Sequence, residues 1–424
     1  MDKERKKVVI VGGGFAGINL ALALSKVKYY EVVLVDKNNY NHFAPLLYQV
    51  ATGMLQVSSI SLPFRTLFKN KKHLRFRIGT LKKIDCEARI LHLNNGKITY
   101  DLLVLATGTV TNFFGNENIQ NEAWPMKSVE DAVKLRNALL RNAEKASITQ
   151  DPEKLEVLRN IVIAGGGPAG VEVAGMLAEL RNRALRKLYP DLDASRLQIY
   201  LVEGSPNLLG GMRTASQEYA MESMKKLGIK VIPDVMVEDY REETVYLSNG
   251  QEIRSKTLIW TTGVRAQHFE GIPEELYDKS FRIRVNQYNQ IDSLPEIFVI
   301  GDASLQEHEG FDDGYPQLGS VATQHGKTLA KNLIRLAKGR AMEPFEYFDK
   351  GTMAIIGKSK ATADLEIPKK TLTGWFAWAA WLTVHLFLLI NYRNRIKTMW
   401  EWTNSYLTTT EPEGLLLNPE NDKV

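Results

Sequence analysis

The sequence predicts an α/β protein with two Rossmann-like dinucleotide-binding domains and a C-terminal amphipathic helical region suited to membrane anchoring. Three observations predict it: two glycine-rich turns about 150 residues apart, a buried-strand run before each, and an uncharged, tryptophan-rich stretch near the C-terminus. The first turn reads Lys7-Val-Val-Ile-Val-Gly12-Gly13-Gly14-Phe15-Ala16-Gly17, and the second Asn160-Ile-Val-Ile-Ala-Gly165-Gly166-Gly167-Pro168-Ala169-Gly170. In each, the first glycine permits a tight turn and the second lets the backbone approach a pyrophosphate. The third lets helix pack close to strand. The N–H groups at the helix start then hold phosphate charge. Two such turns in one chain imply two dinucleotides side by side, and the usual reason is electron transfer between them.

A chain of 424 residues should hold two or three domains. A net charge of +5 is mild for that length and gives no reason to expect nucleic acid. The single cysteine, Cys86, excludes an intrachain disulfide and any dithiol relay beside a flavin, and it fits a reducing compartment. It reads as an ordinary strand or turn residue. No apolar run precedes Val8, so nothing there marks export, and the expected location is peripheral, on the cytoplasmic face of a cell membrane.

Taken in order, residues 1–112 form the first part of an FAD-binding domain, with an antiparallel interruption expected after Asn70. Its second strand ends on Asp36, 19 residues past Gly17, a spacing that suits an acceptor for a ribose 2′-OH. Lys37 follows and suits adenosine-side phosphate. The strand Leu102-Leu-Val-Leu-Ala106 runs into Thr107-Gly108, where the chain leaves the lobe. Residues 113–158 are polar and helix-prone, with Asp151-Pro152 as a break. The NAD(H)-binding domain covers 159–265: its second strand ends on Glu203, which accepts from the free hydroxyls of NADH and repels a 2′-phosphate. It closes at Thr262-Gly263. Residues 266–345 complete the FAD domain, and Gly301-Asp302 reaches the ribityl and pyrophosphate end of FAD. That return assigns the first cradle to FAD and the second to NADH. Residues 346–424 are the C-terminal membrane-anchor region, with a polar tail from Thr408.

The chain resembles the single-subunit, non-proton-pumping type II NADH:quinone oxidoreductases of the two-dinucleotide flavoprotein superfamily, from about residue 6 to about residue 408. Three stretches carry the resemblance: Asn39 through Gln49 to Thr52-Gly53, Trp260 through Val264 to Ala266, and Phe345 through Lys350 to Trp402. The resemblance implies that Thr52, Gly53 and Ala322 touch the flavin, and that Gln49, Ser320, Gln324 and Lys350 border a quinone, menaquinone or ubiquinone. It also implies a homodimer. Where the family commonly has an Ala-Gln pair, this chain has Gly319-Ser320. A serine still donates to a carbonyl but lacks the amide fork.

Hydride transfer to a flavin needs geometry more than an acid, whereas quinone reduction needs protons. Glu172, near the start of the second cradle's helix, is the candidate acid; Lys350 is the other. Read alone, Glu172 also suits the positive end of a helix dipole, and Lys350 a surface turn. The histidines show no metal-ligand spacing, so no metal is expected, and His385 reads as a packed or snorkelling residue.

Five of the seven tryptophans fall between Trp375 and Trp402, and Gly374 to Ile390 carries no charge in 17 residues. As a helix this stretch spans about 25 Å, short of the ~30 Å hydrocarbon core of a bilayer. Trp375, Trp378, Trp381 and His385 recur along one side, with Lys369 and Lys370 before them and Arg393, Arg395 and Lys397 after. That pattern suits a helix lying on an anionic lipid surface, although burial in an interface produces the same pattern. Two other functions remain open at this point: a soluble NADH-dependent reductase of an iron–sulfur protein, and a non-catalytic NADH-sensing flavoprotein.

Overall fold

The computed structural model describes residues 5–190 and 192–407, and the polar tail expected from Thr408 lies outside them. The chain divides into two compact units. One holds the chain up to His42, Leu62–Val110 and Val264–Asp349; the other holds Phe43–Ser61, Thr111–Gly263 and the chain from Lys350 onwards.

In the first unit, Lys6–Val11 lies between Tyr30–Asp36 and Leu102–Leu105, all parallel. Leu74–Ile78 extends the sheet in parallel beside Tyr30–Asp36, and Leu294–Val299 joins in parallel beside Leu102–Leu105. A short antiparallel strand, Gln290–Ile291, closes that edge. These strands read as continuous apolar runs because both faces are covered. The antiparallel interruption begins later than the expected position after Asn70: Leu74–Ile78 still belongs to the parallel sheet. The meander is Leu81–Asp85, Ile90–Leu93 and Gly96–Thr99. Cys86 follows its first strand, and its thiol donates to the Gly271 carbonyl at 3.1 Å.

The second unit has its own five-stranded parallel sheet, ordered Trp124–Pro125, Thr257–Trp260, Asn160–Ala164, Gln198–Val202, Lys230–Ile232. The polar stretch 113–158 supplies that short edge strand as well as helices. Of these, Val129–Ile148 starts with a Ser128/Asp131 capping box. Asp151-Pro152 starts a helix: the Asp151 carboxylate accepts from the N–H groups of Glu153 and Lys154, with proline at the first helical position.

The C-terminal part of this unit is not helical throughout. Thr352–Gly357, Lys360–Glu366 and Lys369–Thr373 form an antiparallel sheet, and the helices Gly374–Leu388 and Tyr392–Leu407 follow. Helix Pro168–Leu180 packs on the first of those strands at Gly175, where a Cβ would stand 1.7 Å from the Ile356 carbonyl oxygen. Only glycine admits that approach. No helix among the described residues is long and apolar enough to cross a membrane.

Candidate functional site

The first cradle is built by backbone. Gly12 has φ +104, and Gly14 precedes the helix Phe15–Leu24 with no side-chain cap. A Cβ on Gly14 would meet nothing within 4 Å, so the uncapped helix start faces open space. Uncapped N–H groups with open space before them are the donor set a pyrophosphate requires. Asp36 closes the turn: its carboxylate accepts from the Gly13 N–H at 2.7 Å and from the Asn38 N–H at 2.8 Å. Burial pushes its pKa up, opposed by those two bonds and by Lys37. A carboxylate has about four lone-pair sites, so capacity for a ribose hydroxyl remains. Lys37 is exposed.

The Ala106 carbonyl and the Thr107 backbone abut Gly12, and the Thr107 hydroxyl is buried without a hydrogen-bond partner. Gly108 turns the chain at φ +62. Gly301 lies against the methyl groups of Ala16 and Ala322, and the Thr109 hydroxyl lies 3.5 Å from the Asp302 carboxylate. Thus the first unit brings Gly12, Gly14, Ala16, Gly17, Ala106, Thr107, Gly301 and Ala322 to one place. The cradle, the open helix start and the buried orphan hydroxyl fit FAD.

One residue of this set had no signal in the sequence. His325 is 1 % exposed, and its Nδ1 accepts from the Gly301 N–H at 3.1 Å. Burial lowers its pKa to about 3, so it is neutral and an acceptor there. Its ring packs edge-on against Phe345 at 4.1 Å.

Helix Gly319–Ala337 carries the expected quinone residues of this unit. The Ser320 hydroxyl hydrogen-bonds that of Tyr347 at 2.9 Å. The Gln324 amide is engaged both ways with the Phe348 backbone, donating to its carbonyl and accepting from its N–H at 3.0 Å each. The Phe15 ring explains Gly319: a Cβ there would lie 3.1 Å from it.

The second cradle repeats the first. Gly165 has φ +102, Gly167 faces open space before an uncapped helix, and Pro168 takes the first helical position. Pro168 and Ala169 are exposed. Thr262 packs against Gly165, and Gly263 turns at φ +71 under the Phe114 ring. Glu203 accepts from the Gly166 N–H on one oxygen. On the other it accepts from the Ser205 N–H at 2.8 Å and the Ser205 hydroxyl at 2.7 Å. Ser205, absent from the expected set, thereby orients the carboxylate.

Five residues further along the second cradle's helix from Gly167, Glu172 is largely covered by protein and accepts from the Ile355 N–H; burial raises its pKa to about 8. The helix Leu47–Ala51 packs on the same helix and brings Tyr48 and Gln49. Gln49 is fully buried and was expected to face a quinone. Instead, both ends of its amide are used within the protein: Nε2 donates to the Tyr48 hydroxyl at 2.8 Å, and Oε1 accepts from the Trp402 indole at 2.7 Å. Thr52 caps that helix by donating to the Tyr48 carbonyl at 2.9 Å, and Gly53 ends it at φ +75. Lys350 is exposed and makes no ion pair among the described residues.

The tryptophan stripe turns out differently from the expectation. Trp381 is fully buried, His385 stacks on it at 3.8 Å, and Trp378 meets Tyr406 edge-on. Burial lowers the His385 pKa to about 4, so it is a packed neutral residue. The outward surface keeps Trp375 of that stripe and adds Phe376, Phe387, Leu388, Tyr392 and Trp400. Two of the flanking cations also turn inward. Arg395 donates to the carbonyls of Leu389 and Phe387 at the end of the first helix, and Lys397 bonds Gln56 and Ser58. Lys369, Lys370 and Arg393 remain exposed. No group of three or more His, Cys, Asp or Glu that could hold a metal ion occurs among the described residues.

A family model described as pyridine nucleotide-disulphide oxidoreductase matches residues 6–326, and one described as NDH2 C-terminal domain matches residues 350–409. A Mycobacterium tuberculosis type II NADH:quinone oxidoreductase, Ndh, is 32% identical over 422 residues, covering 96% of this chain and 89% of that protein. The Staphylococcus aureus type II NADH:quinone oxidoreductase is 29% identical over 368 residues, 84% of this chain and 89% of that one. The solved structure of NDH2 from Plasmodium falciparum in complex with NADH shares the fold, with a TM-score of 0.88 over 97% of this chain and 100% of that chain at 20% identity.

Proposed function

The chain belongs to the type II NADH:quinone oxidoreductases, and on that premise we propose how its residues divide the work. It oxidises NADH and passes two electrons through FAD to a quinone without pumping protons. FAD, when bound, supplies the two-electron chemistry that links a hydride donor to a quinone. The first cradle holds its pyrophosphate, Asp36 its ribose, and His325 fixes the Gly301-Asp302 turn against it. The second cradle holds the NADH pyrophosphate. The observation that carries this reading is the matched pair of cradles: each has open space before an uncapped helix start and a carboxylate fixed on its turn.

Glu203, oriented by Ser205, accepts from the adenosine ribose of NADH and repels a 2′-phosphate. Glu172 holds the proton for quinone reduction: burial raises its pKa to about 8, which favours the protonated form at neutral pH. Ser320 and Gln324 support the reading as braces for Tyr347 and Phe348, which shape the quinone side of the first unit. Lys350 is exposed and offers a positive charge to a quinone oxygen.

The test is an anaerobic titration of the purified, FAD-loaded protein. NADH is expected to bleach the flavin rapidly and NADPH at least about tenfold more slowly, a difference of about 1.4 kcal/mol. A quinone analogue should then restore the colour promptly. Bleaching that no quinone reverses would sink the site assignment for the acceptor. Equal bleaching by NADPH would remove Glu203 from it.

The outward apolar surface of the two C-terminal helices supports a peripheral seat on an anionic bilayer, with the exposed cations toward lipid headgroups, and the cytoplasmic face is the side this reading takes. Replacing Phe376 and Phe387 together by Glu should abolish co-sedimentation with anionic vesicles while sparing flavin bleaching by NADH; a double variant that still sediments would exclude this surface as the anchor. The homodimer belongs to the same reading, and molecular mass in detergent tests it.

A further inference from the structure

The loop that follows Glu203 lies on the second cradle. Leu208 packs on Gly166, where a Cβ would stand 2.5 Å from its Cδ2, and the Leu209 N–H donates to the Gly166 carbonyl at 2.8 Å. Both leucines are buried, and Leu209 holds the left-handed conformation at φ +55. A leucine stays there only where its surroundings fix it. The next two residues, Gly210 and Gly211, are exposed.

The far end of the loop is held from the C-terminal sheet. Arg213 is the cap residue of helix Thr214–Lys226 and supplies no side-chain cap of its own. Its N–H donates to the Asp364 carboxylate at 2.7 Å, across 151 residues. The second Asp364 oxygen accepts from the Ser216 hydroxyl at 2.8 Å and from the Thr371 hydroxyl at 2.7 Å. Asp364 is 5 % exposed and Ser216 fully buried. In an ordinary capping box an acid three residues into the helix accepts from the cap N–H. Here that position is Ser216, and a strand of another sheet brings the acid. The Arg213 guanidinium follows the same strand, donating to the Leu365 carbonyl at 3.0 Å and pairing with Glu366. From the helix so fixed, Gln217 donates to the Met212 carbonyl at 2.7 Å, and the Met212 N–H reaches the Leu209 carbonyl at 2.7 Å. Asp364 is thus joined to Gly166 by a continuous set of hydrogen bonds and one short loop.

We propose that Asp364 is a positioning residue for NADH. By capping helix Thr214–Lys226 it holds the Leu208–Leu209 turn on Gly166, and so keeps the second cradle and Glu203 in place for the adenosine half. The proposal rests on the reading that this cradle holds NADH. NADH affinity is then set in part from the sheet that leads into helix Gly374–Leu388, because Thr371 lies three residues before that helix.

The test uses the full-chain, FAD-loaded enzyme and follows flavin reduction by stopped flow over a range of donor concentrations. The donors are NADH and reduced nicotinamide mononucleotide, which lacks the adenosine half. Asp364→Leu keeps the volume and removes every acceptor. It should raise the NADH concentration for half-maximal rate about tenfold, with the limiting rate within about twofold. With the mononucleotide it should match wild type. Asp364→Asn should recover NADH to within about threefold, since its amide oxygen can face the Arg213 N–H while its NH2 group donates to the two hydroxyls. Ser216→Ala removes one of the three tethers and should cost about threefold with NADH alone. Where the leucine variant fails to fold, Ser216→Ala decides. A merely structural Asp364 would lower the limiting rate with both donors, and that result would overturn the proposal. So would wild-type half-saturation by NADH in Ser216→Ala and in whichever Asp364 variant folds. Reduction of the wild type by NADPH as readily as by NADH would instead overturn the Glu203 reading beneath it.

Discussion

Replacing Glu172 by Gln should slow reoxidation of the reduced enzyme by quinone about 10²- to 10³-fold and leave reduction by NADH within about twofold. Gln keeps the shape and still accepts from the Ile355 N–H, so packing on the C-terminal sheet is preserved while the transferable proton is lost. The wild-type pH profile follows from the same burial. With a pKa raised to about 8, Glu172 carries its proton through neutrality and loses it in mildly alkaline solution. Reoxidation should therefore fall as pH rises through about 8, and the Gln variant should lack that limb.

Stability gives a second readout with a definite sign. Because the folded pKa lies above the ordinary 4.5, the contribution of Glu172 is fully present below that value and is lost as pH rises through about 8. The variant should therefore melt higher than wild type at pH 9 and show no such gain at pH 4, by a few kcal/mol at most. Identical half-reactions and identical melting in both proteins would remove Glu172 from the chemistry.

Gly17→Val should yield a colourless protein, with FAD affinity reduced at least about a thousandfold, or 4 kcal/mol. A Cβ at this position would stand 1.9 Å from the Gly12 carbonyl oxygen and 3.2 Å from the Ala106 methyl. The first obstacle is backbone, so no rotamer relieves it, and overpacking of this kind costs about 1–3 kcal/mol before any ligand is considered. The helix must move off the strand, which withdraws the donors of the cradle from the pyrophosphate. Gly170→Val is the matched control, since its Cβ would stand 1.8 Å from the Gly165 carbonyl oxygen. That variant should stay yellow and fail to bleach with NADH. Absorbance at purification and after NADH separates the two, and a yellow Gly17→Val would refute the assignment of FAD to the first cradle.

The cradles were legible because their requirements are local. A tight turn, a close helix–strand crossing and a strand-end carboxylate leave marks close by in sequence, the carboxylates meeting their turns across 23 and 37 residues. What was not legible depends on residues distant in sequence or on which side of a helix meets protein. The Gln49–Trp402 bond joins positions 353 residues apart. His325 accepts from Gly301 only 24 residues earlier, but no local pattern marks that contact. Periodicity identified the stripe Trp375, Trp378, Trp381 and His385, but spacing alone does not say whether a stripe faces lipid or core. In the fold Trp381 is buried beside Trp402 and Trp378 meets Tyr406, while Trp375, Phe376 and Phe387 stay outside. The strands of the sheet of residues 352–373 carry Lys, Thr and Asp among small apolar residues, a weak pattern beside the aromatic helix that comes after it.

Arg395 and Lys397 bear on how this protein would be handled at the bench. Both positive charges are spent on carbonyls and side chains of the protein itself, which leaves the proposed seat on lipid mainly to phenylalanine, leucine, tyrosine and tryptophan. Such an attachment answers weakly to ionic strength, because screening acts on charges and not on apolar contact. Washing membranes with concentrated salt or carbonate should therefore leave the enzyme behind in the pellet, and a mild detergent should be what brings it into solution.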